Sequence, residues 1–235
     1  MANCLDYAKI ASACYNSGKN QYYAEKPGHM VDAWQVRKWE GGSLFGNGFQ
    51  GGIWENATDV VVGCCGTHTG KMGKLFHDLQ ADIKIALHLL PNQSYSARKM
   101  VRLAKEVANG RRVSVTGHSL GGGLAQIVAV WEGIPFVSFN APAMRATMEM
   151  SKLNILQPFK MSYSRSGQSA SNSPGLNFRI HGDIVSTGLL GNHVGTIVNM
   201  PNPKALHKSM AHAQSNCWQA VLNTDWAFID PFEAL

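Results

Sequence analysis

The sequence has no apolar run long enough to cross a membrane. Its longest apolar stretches, such as 60–62 and 125–131, fall far short of the ~20 residues that a membrane-spanning helix needs. The N-terminal residues also lack the basic segment, hydrophobic block and small-residue cleavage site of a secretory signal. We therefore expect a protein that does not cross a membrane and is either cytoplasmic or exported by a route independent of a signal peptide.

Cysteine is scarce, at five residues in 235, and the number is odd. The cysteines lack metal-site spacing, so free thiols in a reducing compartment are the expected state. His68 and His77 together with Cys64 form an irregular set that completes no ligand shell. We expect neither a metal ion nor a cofactor.

Dense basic patches are missing as well. The formal net charge is +6, but the 21 lysines and arginines are scattered, with pairs at most. Nucleic-acid binding requires a denser basic surface and is not expected. The dinucleotide fingerprint G-x-G-x-x-G does not fit 117–123, and 66–72 lacks both the glycine spacing and the Ser or Thr of a phosphate-binding loop.

The segments that are present alternate between strand and helix patterns. Apolar residues at helical spacing lie in 5–15, 94–108, 120–132 and 206–220, and strand patterns lie in 52–55, 59–65, 113–116, 136–139, 177–180 and 194–200. Ser94 is the predicted N-cap of the second helix. The alternation predicts an α/β fold with a mostly parallel central sheet and helices on both faces. A chain of this length is expected to form a single domain over 1–235.

The stretch GHSLG at 117–121 places a serine between a strand and a helix. In this context G-x-S-x-G is the nucleophile elbow, a strained turn that projects the serine hydroxyl above the sheet edge. Its first and last positions must be small because strand and helix pass very close there. We predict that Ser119 is a nucleophile and that the backbone N–H of Leu120, at the helix start, is an oxyanion donor.

TGHSLGG at 116–122 resembles the elbow of the class 3 lipases, a family of α/β-hydrolases. The resemblance implies an α/β-hydrolase fold and covers about 50–212, whereas residues 1–50 match nothing that we can place. Cys65 stands where the family usually has arginine, and Asn140 where it has glycine. The other segments that carry the resemblance are 60–67, 78–79, 140–142 and 182–185, which match in order the strand ending in Gly-Thr, the Asp-Leu pair, the Gly-x-Pro and the Asp-x-Val acid motif of the family.

The acid and the base should follow the serine in that order along the chain. Asp183 comes after a predicted strand and is the predicted acid, which would fix the imidazole tautomer and stabilise its cation. Three histidines follow it, and topology alone does not choose among them. The resemblance favours His207, because its surroundings resemble the His-Ser-Met segment of the family. His193 is the second choice, and His212 is expected on a helix face.

Thr67 matches the family position of the second oxyanion donor, a contribution of about 3 kcal/mol per donor in comparable sites. Asp78 is expected to brace this loop by hydrogen bonds. Residues 68–77 carry a short apolar stripe, which is usually part of a core. In the family the matching segment is a lid that opens at a lipid surface, and both interpretations stay open.

These features predict a serine carboxylic-ester hydrolase of lipase type that acts on acylglycerols or phospholipids through an acyl-enzyme. Its partners would be a lipid or ester substrate and a membrane or lipid surface. Three alternatives remain: a phospholipase toxin or effector exported without a signal peptide, an acyltransferase, and a non-catalytic binding protein on a hydrolase scaffold. An exported effector would also imply a cognate inhibitor protein.

Overall fold

A computed structural model describes residues 1–15, 26–41, 48–66, 79–145, 148, 174–188, 192–202, 211–212, 214–233 and 235, with only the backbone for 79–91 and 214–216. The helices in these ranges are α1 (Cys4–Ala13), α2 (Leu79–Val107), α3 (Leu120–Glu132), α4 (Ile184–Gly188) and α5 (Gln214–Leu222). The strands are β1 (Met30–Val31), β2 (Trp34–Glu40), β3 (Gly51–Glu55), β4 (Asp59–Cys64), β5 (Arg112–His118), β6 (Phe136–Phe139), β7 (Gly175–Ile180) and β8 (Thr196–Met200). None of the described helices combines the length and apolarity that spanning a bilayer requires.

The eight strands form one sheet whose spatial order follows the chain, from β1 at one edge to β8 at the other. Strands β1 to β4 pair antiparallel, and β4 to β8 pair parallel. Because parallel strands end at the same edge, the loops after β4, β5, β6 and β7 meet there. The predicted α/β class with a mostly parallel central sheet is confirmed.

Helices cover both faces of this sheet, as predicted. Strand β4 shows the alternation that this requires: Val61 packs in one core with α1, and Val60 and Val62 pack in a second core with α2 and α3. All three valines are completely buried. A strand that is apolar on both sides is therefore sandwiched between two helical layers.

Most of the predicted elements are present, with one error in a helix start. Helix α1 begins at a capping box in which Asn3 and Asp6 each bond the other's backbone N–H. The Ser94 N-cap prediction is wrong, because α2 already begins at Leu79. Ser94 is therefore an interior residue of the helix, and its side chain is buried. The C-terminal helix is described as α5, and of the rest of the predicted 206–220 helix only 211 and 212 are described, with 212 in a turn before α5.

Candidate active site

Ser119 sits on the sharp turn that the motif predicts. Its φ of 56° and ψ of −129° lie in a region that residues with a side chain rarely adopt. The backbone is held there because the Ser119 N–H donates to the carbonyl of Phe139 on β6 at 3.0 Å, and the Ser119 carbonyl accepts the N–H of Gly123 at 3.1 Å. His118 and Leu120 on either side are buried, whereas Ser119 is partly exposed.

The close approach of strand and helix explains the glycines of the motif. A Cβ added at Gly117 would lie 2.4 Å from the backbone of Gly121, and one added at Gly121 would lie 2.1 Å from the carbonyl oxygen of Cys64. Both distances are shorter than real carbon contacts allow, and the obstacles are backbone atoms that cannot rotate away. The prediction that small residues are needed at both positions is confirmed.

We predict that Gly121→Ala lowers the free energy of unfolding by at least ~1–3 kcal/mol, as overpacking of a tight core does. Gly123→Ala is the matched control in the same helix, since its Cβ would meet only side-chain atoms and at longer distances, Met144 Sδ at 3.2 Å and Pro142 Cγ at 3.3 Å. Alanine also favours the helix over glycine by ~1 kcal/mol. Thermal unfolding of both variants checks this, and an equal Tm for the two would contradict it.

His212 links Ser119 to Asp183. Its Nε2 lies 2.7 Å from the Ser119 Oγ, and its Nδ1 lies 2.9 Å from the Asp183 Oδ1. A carboxylate only accepts hydrogen bonds, so Nδ1 carries the proton and Nε2 is left to accept the serine hydroxyl. The neutral imidazole is therefore in the tautomer that a general base requires.

Asp183 is held ionised at the start of α4. Its carboxylate is completely buried and accepts the N–H groups of Val185 at 3.3 Å and Ser186 at 3.0 Å. Burial alone would raise the pKa of this carboxyl, but the His212 imidazole and the two N–H donors outweigh it and hold the pKa below its ordinary value. The carboxylate can therefore orient the imidazole and balance a positive charge on it.

Two of the predictions for the base need correction. His207 lies outside the described residues, and the place between serine and acid is filled by His212, which lies just before α5. One imidazole excludes another from that place, so the assignment of His207 is corrected to His212. The second choice, His193, donates from Nε2 to the Ser186 carbonyl at 3.0 Å and thereby supports α4 instead of contacting the serine.

Of the two proposed oxyanion donors, Leu120 belongs to the described residues and Thr67 does not. Leu120 is the first residue of α3, where N–H groups have no intrahelical partner and the helix dipole favours negative charge. Thr67, Asp78 and the segment 68–77 lie outside the described residues and stay predictions. Gly66 is described, and a Cβ added there would lie 3.2 Å from the backbone nitrogen of Gly121, so the chain leaving β4 lies against the serine turn.

His118 is a second histidine of the site that the sequence analysis did not single out. Its Nε2 lies 2.6 Å from the backbone carbonyl of His212 and donates to it, and the two rings lie 4.9 Å apart between centroids. Burial, followed by the neighbouring His212, lowers the pKa of His118 to about 3. His118 thus remains neutral and ties strand β5 to the backbone of the base.

Asn140 holds the backbone of the residue that precedes His212 by a hydrogen bond. It adopts a φ of 45°, a left-handed conformation that asparagine tolerates better than most residues. Its Nδ2 donates to the Ala211 carbonyl at 2.9 Å, and its Oδ1 accepts the Ile180 N–H at 2.9 Å. In the sequence, Asn140 stands out because it replaces the glycine of the class 3 lipases. This replacement is the signal that could have identified its supporting role.

The buried state of His118 predicts that acid weakens the fold. An unfolded histidine binds a proton near pH ~6.5, but folded His118 does so only near pH 3. Between these values the unfolded chain holds the extra proton, so the free energy of unfolding falls as the pH drops, by up to ~1.4 kcal/mol per pH unit.

Urea unfolding from pH 7 to 4 checks this, because the free energy of unfolding should decline less steeply for His118→Gln than for wild type. The exposed His29 is the control, and His29→Gln should follow wild type; a His118→Gln curve parallel to wild type would contradict the prediction.

The chain has clear relatives among known sequences. It matches the Tle-like phospholipase domain, a family of phospholipase-like proteins, over residues 7–212. It is 33% identical over 99 residues to the extracellular phospholipase A1 of Serratia liquefaciens. That match spans 41% of this chain and 28% of the relative, so it represents little more than a quarter of the relative's length.

Solved lipase structures share the fold. The Lip2 lipase of Yarrowia lipolytica aligns with a TM-score of 0.52 at 16% identity, covering 83% of this chain and 77% of that one. The Rhizomucor miehei lipase in its propeptide complex gives 0.54 at 11% identity, covering 94% and 78%. A fungal lipase gives 0.56 at 13% identity, covering 97% and 96%. At these identities the likeness establishes the fold, and the predicted α/β-hydrolase fold of lipase type is confirmed.

Proposed function

Because the chain belongs to the Tle-like phospholipase domain family, we propose that it is a serine carboxylic-ester hydrolase that cleaves phospholipids. The observation that carries this proposal is the hydrogen-bonded series from the Ser119 hydroxyl through His212 to the buried Asp183 carboxylate. A serine hydroxyl is a weak nucleophile until a base receives its proton, and this series supplies the base and its orienting acid.

In the proposed reaction the Ser119 Oγ attacks the ester carbonyl while its proton passes to the His212 Nε2. Asp183 balances the charge of the imidazolium. The negative oxygen of the tetrahedral intermediate is stabilised by the Leu120 N–H and, in this proposal, by Thr67. His212 then protonates the departing alcohol, a lysophospholipid, and the acyl group remains on the serine. A water molecule, activated by the same histidine, releases the fatty acid and restores the hydroxyl.

Phospholipids are favoured over acylglycerols by the family and by the Serratia liquefaciens relative, which is itself a phospholipase A1. The formal net charge of +6 adds a mild attraction to anionic lipid surfaces. Acylglycerols remain the second substrate class in this proposal. The cellular setting, cytoplasmic or exported without a signal peptide, is likewise a proposal, and an exported effector would be expected to co-purify with an inhibitor protein.

The test combines labelling with lipid cleavage. A fluorophosphonate probe followed by peptide mapping should label Ser119, and Ser119→Ala should lose both labelling and hydrolysis of phosphatidylcholine vesicles. Ser96→Ala, a serine of α2, is the control and should behave as wild type. A parallel assay on triacylglycerol emulsion ranks the two lipid classes, and product analysis with added alcohol separates hydrolysis from acyl transfer. Undiminished hydrolysis by Ser119→Ala, or no cleavage of either lipid by wild type, would overturn the proposal.

A further inference from the structure

The N-terminal residues, which the resemblance to class 3 lipases leaves without a role, supply a side chain to the site. Tyr15 follows Cys14, the C-cap of α1, and is buried. Its hydroxyl accepts the backbone N–H of Gly66 at 2.8 Å and donates to the backbone carbonyl of His118 at 3.0 Å. One phenolic oxygen therefore joins two backbone segments, at Gly66 and His118, that are far apart in the chain.

Both of these segments border the proposed reaction centre. His118 is the residue before Ser119, at the end of β5, and Gly66 follows the end of β4 and precedes Thr67 in the sequence. The space between them is narrow, because a Cβ on Gly66 would lie 2.7 Å from the Tyr15 hydroxyl and 3.2 Å from the His118 carbonyl oxygen. The hydroxyl thus fixes how far the serine turn stands from the chain that leaves β4.

The tyrosine is well suited to a fixed bridge. Its ring packs edge-on against the His118 ring, with 5.7 Å between centroids and 76° between planes, which limits its rotation. Burial is the main cause that raises the pKa of Tyr15 well above its ordinary value. The phenol therefore keeps its proton at neutral pH and remains a donor to the His118 carbonyl.

We propose that Tyr15 is a positioning residue that sets the distance between the serine turn and the chain leaving β4, and hence the geometry in which the developing oxyanion is bound. This inference rests on the proposed function, since an oxyanion arises only if Ser119 attacks an ester. Oxyanion donors act in the transition state more than in the bound substrate, so a misplaced donor lowers kcat and leaves KM little changed.

The matched pair of variants is Tyr15→Phe and Tyr7→Phe. Tyr7 is also buried in the α1 region, and its hydroxyl bonds the Ser114 Oγ at 2.8 Å, on the same strand β5 but away from the turn. Each variant removes one buried hydroxyl.

For Tyr15→Phe we expect kcat on a short ester to fall by ~10–100-fold with KM within about twofold, because a shift of ~1 Å in a catalytic geometry has an effect of this size. Inhibition by an alkylboronic acid, which forms a tetrahedral serine adduct, should weaken by a similar factor. Tyr7→Phe should keep kcat within about twofold of wild type.

Gly66→Ala tests the same bridge from the other side and serves if Tyr15→Phe does not fold. Its methyl group must displace the Tyr15 hydroxyl, so kcat should fall in the wild-type background with KM little changed, a result that does not depend on Tyr15→Phe. Where Tyr15→Phe folds, adding Gly66→Ala to it should lower kcat much less than Gly66→Ala does in wild type. A kcat for Tyr15→Phe within twofold of wild type, an equal loss in Tyr7→Phe, or fully additive losses with Gly66→Ala would overturn the inference. If the wild-type protein cleaves no ester, the proposed function itself is wrong, so the two failures are distinguishable.

Discussion

Replacing His212 with alanine is expected to lower kcat on a short chromogenic ester by ~10³-fold or more, with a much smaller effect on KM. The reason is that the Nε2 atom 2.7 Å from the Ser119 Oγ is the described acceptor for the serine proton. Without it the hydroxyl must attack as a neutral alcohol, and the leaving group receives no proton from the enzyme. Steady-state kinetics of the purified variant, with its folding checked by circular dichroism, provides the measurement.

His193→Ala and His207→Ala are the controls, because these were the two histidines that the sequence favoured. His193→Ala removes one bond to the Ser186 carbonyl beside α4 and is expected to lower kcat by ~10-fold or less. His207→Ala is expected to keep kcat within a few-fold of wild type. Near-normal turnover of His212→Ala together with collapse of His207→Ala would reverse the assignment of the base.

Replacing Asp183 with asparagine is expected to lower kcat by ~10³–10⁴-fold. The change is nearly isosteric, but the carboxamide can present an N–H₂ group to the His212 Nδ1, whereas the carboxylate accepts a hydrogen bond from it, with 2.9 Å between Nδ1 and Oδ1. The imidazole then favours the tautomer with its proton on Nε2, which faces the serine and cannot act as a base. The variant therefore keeps the geometry of the site but carries the proton on the wrong nitrogen.

Asp59→Asn is the matched control, since Asp59 is also completely buried, bonds the Arg112 Nε at 2.7 Å and lies on β4 away from the base. It should lower Tm and leave kcat of the folded protein within a few-fold of wild type. The free energy of unfolding of Asp183→Asn should also fall less than that of wild type as the pH drops. The pKa of Asp183 is held low in the fold, so its stabilisation is present above the ordinary carboxyl pKa of ~3.9 and is lost as the pH falls through the folded value. Equal kcat losses in the two variants would contradict a specific role for Asp183.

The nucleophile turn could be predicted from sequence because its requirements are local. The positive φ of Ser119 and the absence of side chains at Gly117 and Gly121 follow from one strand meeting one helix within a few residues. Asp183 could be predicted for a similar reason, since it lies in the short turn between β7 and α4. In both cases the neighbours in the chain determine the place in the fold.

The base could not be selected in this way, because its position depends on how the chain returns to the sheet edge after β8. Three histidines follow Asp183, and His212 is separated from Ser119 by 93 positions. The supporting groups share this difficulty. His118 bonds the backbone of His212 at a separation of 94 positions, and Tyr15 bonds His118 at 103. Contacts of this range arise from tertiary packing and leave no periodic pattern in the sequence.

The order of the strands has a consequence for synthesis on the ribosome. Because the sheet grows in chain order from β1 to β8, each new strand can pair with the one made just before it. The strained serine turn can therefore form in a nascent chain while Asp183 and His212 are still unsynthesised. Such a chain would carry an inert hydroxyl, so the ability to cut esters would arise only after the segment that carries Asp183 and His212 leaves the exit tunnel.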